Sequence, residues 1–328
     1  MRVLVTGASG LLGGEVARLL VRQGHDVVTF QRRPSGVDGV TDFRGSVTDD
    51  DALREAVQGA EGVIHLAAKV SFTGRAAEFD EVNVEGTRRL LEAARAAKVR
   101  DVVFVSSPSV ANSGAAIAGL GAEPADPEHA HGDYSRTKAE AELLALAADA
   151  PDFRVAAVRP HIVWGPGDTQ LVERVLARAS RQRLPLLDAG AALIDTTYVD
   201  NAAAAIVAAL HRMDHVHGRA LVVSNGEPRP VGELLAGICA AGGVPAPSWS
   251  VPGVVARAAG AVVEKLWTWA GRQEEPPMTR FLAEQLSTAH WFDQRESREL
   301  LSWTPKVSID EGLARLAEHY RSRPAARG

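Results

Sequence analysis

Tyr134 and Lys138 lie one helical turn apart in Asp133-Tyr134-Ser135-Arg136-Thr137-Lys138. Positions i and i+4 share one face of a helix, so the ammonium can approach the phenol. A neighbouring cation favours phenolate, and Lys138 is therefore expected to bring the Tyr134 pKa down and make it a proton donor near neutral pH. Tyr134 also opens its helix, where the macrodipole adds modest help, and Asp133 is expected to face solvent or cap the helix. Ser106-Ser107 ends the apolar run from Val102, which reads as a strand. At the carboxyl edge of an open α/β sheet a Ser hydroxyl can donate to a carbonyl oxygen. A solvated helix face and a turn-capping serine would carry the same residues, so their meaning depends on a companion elsewhere in the chain.

That companion is Thr6-Gly7-Ala8-Ser9-Gly10-Leu11-Leu12-Gly13, between a first strand and a first helix. Its glycines permit a tight turn and a close approach of backbone to pyrophosphate, whose charge rests on the helix N-terminus. Gly7, Ser9, Gly10, Leu11, Leu12 and Gly13 are read as cofactor-binding. A dinucleotide fold usually ends its second strand on Asp or Glu, which bonds the ribose 2′-hydroxyl. Here the stretch is Thr29-Phe30-Gln31-Arg32-Arg33, with no carboxylate and two guanidiniums able to clamp a 2′-phosphate. NADP(H) is expected in preference to NAD(H), with Gln31, Arg32 and Arg33 at the nucleotide. In Pro160-His161-Ile162-Val163, His161 is expected to offer the nicotinamide its backbone rather than its ring. His129 and His131, before Tyr134, read as loop surface, with a substrate contact as the alternative.

The 328 residues are 46% hydrophobic and 23% charged, as in an ordinary globular protein of one large domain or two coupled lobes. A net charge of −5 leaves no basic excess for phosphates and argues against sequence-independent nucleic-acid binding. One cysteine, Cys239, excludes an intramolecular disulfide and a Cys-rich zinc site, and reads as a small buried apolar residue. Of the ten histidines only His211 and His215 have His-x3-His spacing, and no metal is expected. The first strand starts at residue 2, and no apolar run reaches the roughly 18–20 residues that span a bilayer. The nearest, Val251–Val263, is interrupted by Arg257. A cytoplasmic protein is expected.

Strand-like runs at Val3–Val5, Val27–Phe30, Thr41–Arg44, Val63–Ala67, Val102–Ser106 and Val155–Val158 alternate with helical patterns. The first helix turns Val16, Leu19 and Leu20 inward and stops at Gly24; others follow at Asp50–Val57, Val82–Ala97 and Tyr134–Ala148. This alternation predicts an α/β fold, a Rossmann-type doubly wound parallel sheet covered on both faces. After the turn cluster Gly165-Pro166-Gly167 a polar helix is expected over Gln170–Arg183. Tyr198-Val199-Asp200-Asn201 opens an Ala-rich helix, and Leu221–Val223 reads as a returning strand. From Pro228 onward Gly, Pro and Trp become frequent. Residues 1–168 with 194–225 are expected to bind the dinucleotide, and 169–193 with 226–328 to form a smaller, mostly helical substrate lobe with a frayed tail.

Thr6–Gly13, His65-Leu66-Ala67-Ala68, Asn83-Val84-Glu85-Gly86-Thr87, Ser106-Ser107, Tyr134–Lys138, Arg159-Pro160 with Gly165-Pro166-Gly167, and Val199-Asp200-Asn201 together resemble the extended short-chain dehydrogenase/reductase family. The likeness covers essentially the whole chain. It implies Ser107, Tyr134 and Lys138 as the catalytic set, with Asn83 in support and Ala67, Ala68 and Lys69 along the cofactor groove. The family commonly has Gly-Asp after the third strand, with the Asp touching adenine. Gly45-Ser46 stands here instead, so Ser46, beside Val47, is expected to bond adenine less strongly.

Within that family, Arg159–Asp168, Pro276–Phe281 and Ala289–Asp293 are similar to the 3β-hydroxysteroid dehydrogenase branch, and to bacterial 2-alkyl-3-oxoalkanoate reductases of olefin biosynthesis. This implies NADPH-dependent reduction of the 3-oxo group of a long-chain substrate, and a homodimer. A sterol-type dehydrogenase and a non-catalytic NADP(H)-sensing regulator are the alternatives, and a sensor has no need of a proton donor. Arg280 is read as a partner for a substrate carboxylate or for a surface salt bridge. Val251–Trp269, apolar with few charges, is read as core helix, alkyl-chain pocket wall, or a contact with a partner or membrane surface.

Overall fold

Runs of β-branched residues with no polar alternation make stable strands only when both faces are covered. The computed structural model, which describes residues 1–71, 74–111, 114–269 and 280–322, covers them in this way. Its main sheet has seven strands: β1 (Arg2–Thr6), β2 (Asp26–Gln31), β3 (Thr41–Arg44), β4 (Gly62–His65), β5 (Asp101–Val105), β6 (Arg154–Pro160) and β7 (Ala220–Val223). They run parallel in the order β7-β6-β5-β4-β1-β2-β3. The order reverses between β1 and β4, which makes a crevice at the carboxyl ends of the strands there, where open α/β sheets bind ligands.

Five helices cover the sheet: α1 (Leu11–Arg22), α2 (Asp50–Ala56), α3 (Gly86–Ala96), α4 (Gly132–Ala147) and α5 (Val199–His211). Val16, Ala17 and Leu20 of α1 pack with Ala203, Ile206 and Leu210 of α5 on one face. Leu53 of α2, Leu90 and Ala94 of α3, and Ala141 and Ala145 of α4 cover the other. Asp49 caps α2 by accepting from Asp51 N and Ala52 N.

Two expectations about helices change in detail. The helix expected from Val82 is preceded by a π-helical turn, Asp80–Glu85, which carries Asn83 into the interior. The polar helix expected over Gln170–Arg183 is confined to Val172–Ala179. Asp168 starts it by accepting from Gln170 N (2.7 Å) and Val172 N (3.2 Å), and Gln182, at φ +54°, lies beyond its end.

The remaining chain adds a small sheet from Ile117–Leu120, Leu193–Ile194, Arg229–Pro230 and His290–Phe292, with helices Val231–Ala241, Gly253–Trp269, Arg280–Ser287 and Ile309–Ser322. Trp164, Tyr198, Ile238 and the fully buried Cys239 belong to its core. Helix Arg295–Leu301 returns to β7, and Leu301 and Trp303 join the apolar layer above α1 and α5. Helix Gly253–Trp269 buries Ala256 but exposes Val254, Val255 and Val262. Among the described residues no helix is long and apolar enough to cross a membrane. Pro276-Pro277-Met278-Thr279 and the tail from Arg323 lie outside the described residues.

Candidate active site

The β1–α1 turn is built by close approach. Gly7 has φ +78°, and a Cβ there would come 2.9 Å from Ala67 N. A Cβ on Gly13 would run into the Gly7 carbonyl oxygen, whereas one on Gly10 would meet only that oxygen at 3.4 Å. Gly7 and Gly13 thus lock the turn, and Gly10 leaves it open to a ligand. The α1 N-terminus has no side-chain cap and no acidic residue in its first turn, so its leading N–H groups are left for an anion. At the end of β2, Gln31 Oε1 is buried with no hydrogen-bond partner, an acceptor suited to a ligand hydroxyl. Arg32 and Arg33 are exposed and pair with no carboxylate among the described residues. These features fit a dinucleotide.

Other expected cofactor contacts are placed less directly. The Ser46 hydroxyl is shared with the Thr48 hydroxyl at 2.7 Å. Val47 turns its side chain into the core against Gly86, so any nucleotide contact there falls to its backbone. Lys69 pairs with Glu78 and lies over the Phe79 ring. Asn83 Oδ1 accepts from Lys69 N at 2.7 Å, and Asn83 Nδ2 donates to Thr137 Oγ1 at 3.0 Å. Asn83 therefore ties the loop after β4, with Ala67 and Ala68, to the helix that carries Tyr134.

Sequence reasoning gave no role to a buried relay that continues this network. Leu66 N and Ala67 N donate to Thr6 Oγ1, which lies 2.7 Å from His65 Nδ1. His65 Nε2 reaches Thr87 Oγ1 at 3.2 Å, and Thr87 Oγ1 donates to Asn83 O at 2.6 Å. The bonds assign the ring proton to Nε2, and burial pushes the His65 pKa down to about 3. The glycine turn and the α4 helix are thus joined by one chain of hydrogen bonds.

Ser107 follows β5, and its hydroxyl is set toward the Tyr134 phenol, whose ionised form it favours. Ser107 Oγ accepts from Ser109 N at 3.3 Å and lies 3.0 Å from Ser109 Oγ. Ser106 N is bound to Val158 O, while Ser106 Oγ is buried without a partner. Lys138 is buried, one turn after Tyr134, and donates from Nζ to Val105 O at 2.8 Å. Tyr134, Ser107 and Lys138 are therefore brought to the carboxyl end of β5, on the same edge of the sheet as the glycine turn.

The family model described as "NAD dependent epimerase/dehydratase family" matches residues 3–224. The chain belongs to that family. Among curated relatives, it is 40% identical over 324 residues to the 2-alkyl-3-oxoalkanoate reductase of Stenotrophomonas maltophilia, covering 96% of this chain and 98% of that one. It is 35% identical over 326 residues to the protein of the same name from Shewanella oneidensis, covering 95% and 84%. A Mycobacterium tuberculosis protein named 3 beta-hydroxysteroid dehydrogenase/Delta 5→4-isomerase is 29% identical over 344 residues, covering 98% and 90%. Among solved structures, MoeE5 in complex with UDP-glucose and NAD is 26% identical with a TM-score of 0.76, covering 98% and 99%. With relatives named reductases and dehydrogenases, this member of the NAD dependent epimerase/dehydratase family is an oxidoreductase that uses a nicotinamide dinucleotide.

The electrostatics of this family member's site correct one expectation. Lys138 does not bring the Tyr134 pKa down. Burial pushes the phenol up to about 12, and the neighbouring Ser107 hydroxyl offsets only part of that. Lys138 itself is brought down to about 7 by burial, against which the Glu142 carboxylate acts. Its Nζ is turned to Val105 O and the Phe104 ring, 4.0 Å from the centroid. Tyr134 is therefore the protonated, donating form at neutral pH.

Glu142, fully buried one turn beyond Lys138, forms a bidentate pair with Arg159, and Arg159 Nη1 also donates to Glu123 O at 2.7 Å. The Arg159-Pro160 dipeptide was legible in the sequence, but its carboxylate partner was not. Asp133 pairs with Arg136 at 3.5 Å and stays at the solvent side, as expected. His129 bonds Asp126, and His131 Nδ1 lies 3.0 Å from Glu284 Oε2, tying the start of α4 to helix Arg280–Ser287.

Proposed function

We propose that the chain reduces the 3-oxo group of a long-chain 2-alkyl-3-oxoalkanoate to the 3-hydroxy acid with NADPH. The observation that carries this reading is the end-to-end likeness to the Stenotrophomonas reductase, at 40% identity, joined to a Ser107 hydroxyl set against the Tyr134 phenol at the carboxyl edge of the sheet. A 3β-hydroxysteroid or sterol-type dehydrogenase is the second reading, favoured by the 29% identical relative of that name. Both use the same site chemistry.

The leading N–H groups of α1, with Gly7, Gly10 and Gly13, would hold the pyrophosphate, and Gln31, Arg32 and Arg33 the adenosine end. Ala67, Ala68 and the Pro160–Val163 segment would line the groove. The bound nicotinamide supplies a hydride to the carbonyl carbon. Tyr134 donates its proton to the carbonyl oxygen as negative charge develops there. Ser107 donates a hydrogen bond to that same oxygen, which places it and lowers the cost of its charge. Lys138, as the ammonium, would hold the nicotinamide ribose.

The test is NADP+ reduction with a racemic 2-alkyl-3-hydroxyalkanoate, with NAD+ and a 3β-hydroxysteroid in parallel. Turnover of the branched hydroxy acid is expected. Turnover of the steroid alone would move the substrate to the second reading. Arg32→Ala combined with Arg33→Ala should weaken NADPH by about tenfold or more and leave NADH nearly unchanged; an unchanged preference would remove the 2′-phosphate role from these arginines.

A further inference from the structure

Ile162 has φ +40°, in the left-handed region that a β-branched side chain avoids. It is half-buried between β6 and the short strand Val163–Trp164. Glycine would adopt this backbone at no steric cost, so the strain belongs to having a side chain at the position. Such a conformation persists where the surroundings over-determine it.

They do so here. His161 N donates to Val223 O at 3.0 Å, and Thr197 Oγ1 donates to His161 O at 2.7 Å. Thr197 N donates to Ile162 O at 3.2 Å, and Thr197 and Tyr198 pair in register with Val163 and Trp164. The His161 ring donates from Nδ1 to the Asp195 carbonyl and stands edge-on to Phe292, with 5.0 Å between centroids. Asp195 is itself fully buried, its carboxyl bound by Ser224 Oγ and by Glu227 N. The His161 ring is thus held by packing, its backbone N–H and carbonyl are both bonded within the protein, and Ile162 follows it in a strained conformation.

The position is also close to the chemistry. Val158 O accepts from Ser106 N, so Ser107 and the 160–162 segment leave neighbouring strands at one carboxyl edge. The Ile162 side chain joins the apolar cluster that takes in Leu11 and Leu12 of the glycine turn and Leu171 and Val231 of the C-terminal part. The floor of the dinucleotide groove and the core of the substrate-side lobe meet at this residue.

We propose that Ile162 is a positioning residue for hydride transfer. Its clamped left-handed backbone presents the side chain as an apolar wall shared by the dinucleotide groove and the substrate lobe, and this wall sets where the reacting carbon sits relative to Tyr134. The inference rests on the carbonyl-reductase reading of the site, and not on which substrate is reduced.

The full chain would be compared with Ile162→Gly and Ile162→Val for melting temperature, for NADPH and NADH affinity by nucleotide fluorescence, and for kcat and KM. Ile162→Gly relieves the backbone while removing the wall. Its melting temperature should stay within about 3 °C of wild type or rise, nucleotide dissociation constants should stay within about threefold, and kcat should fall about ten- to a hundredfold. Ile162→Val keeps the branched shape and should remain within about threefold of wild type throughout. Wild-type kcat in Ile162→Gly overturns the proposal. So does a joint fall of melting temperature, nucleotide affinity and kcat, the signature of a structural residue. A Val variant as impaired as the Gly variant overturns it as well. Kinetics would be run on both the branched hydroxy acid and the 3β-hydroxysteroid. If wild type oxidises the steroid alone, the substrate reading fails while the Ile162 comparison proceeds on the steroid.

Discussion

A phenol raised to about 12 and an amine lowered to about 7 within one helical turn keep Tyr134 protonated at neutral pH while Lys138 is near its titration point. Tyr134→Phe should reduce kcat about 10²- to 10⁴-fold while nucleotide affinity stays nearly intact. Steady-state kinetics with a fluorescence titration would check both, and wild-type-like turnover would remove Tyr134 from the chemistry. Lys138 carries its charge below its pKa, so reductive kcat/KM should be flat below about pH 7 and fall about tenfold per pH unit above it. Glu142→Gln removes the charge that raises Lys138, so the same limb should move to lower pH. A limb left in place would mean that Lys138 does not control it. At this scale residue spacing was enough to single out Ser107, Tyr134 and Lys138 as candidates. It gave the wrong direction for the Tyr134 pKa, because desolvation depends on everything packed around a group and i,i+4 proximity does not report it.

The β1–α1 turn shows what an element imposes on its residues. A Cβ on Gly13 meets the Gly7 carbonyl, so Gly13→Ala must shift backbone rather than a side chain. The expected result is a destabilisation of about 1–3 kcal/mol with a nucleotide dissociation constant raised at least about tenfold. Urea unfolding and fluorescence titration would measure these, and an unperturbed variant would mean that the turn relaxes freely. The Glu142–Arg159 pair similarly binds α4 to β6. Arg159→Met strands a buried carboxylate and should cost about 3–5 kcal/mol, far above a surface pair. Strands and main helices were legible here because burial on two faces leaves unbroken apolar runs and burial on one face leaves a helical period. The π-helical turn at Asp80–Glu85 was not, since one extra residue in a turn leaves no periodic trace.

Over the whole molecule, buried neutral groups link stability to pH. His65 and His161 have folded pKa values of about 3 and 4, below the ordinary 6.5, so the unfolded chain takes up protons first as pH falls. Each therefore subtracts stability as pH falls below 6.5, by up to about 1.4 kcal/mol per pH unit. Asp195 opposes them. Burial raises it to about 6, so between pH 6 and its unfolded value of 3.8 the folded state holds the extra proton and gains stability on acidification. One histidine's worth remains, and the unfolding free energy should fall by about 2–3 kcal/mol between pH 6.5 and 4.5. Urea titrations at the two pH values would check this, and an unchanged midpoint would contradict the neutral state of the histidines.

The amino-acid sequence by itself determined the alternation of strands and helices, the glycine turn, and the residue types that meet at the carboxyl edge of the sheet. Each is written in local spacing, whether a period of apolar residues, three glycines, or two side chains on one helical turn. Only the tertiary structure decided what those residues experience. His65 between Thr6 and Thr87, Glu142 on Arg159, and the clamp around Ile162 all join residues far apart in the chain. The direction of a buried group's pKa and the strain a backbone can be made to hold are set by such long-range partners, and no local pattern encodes them.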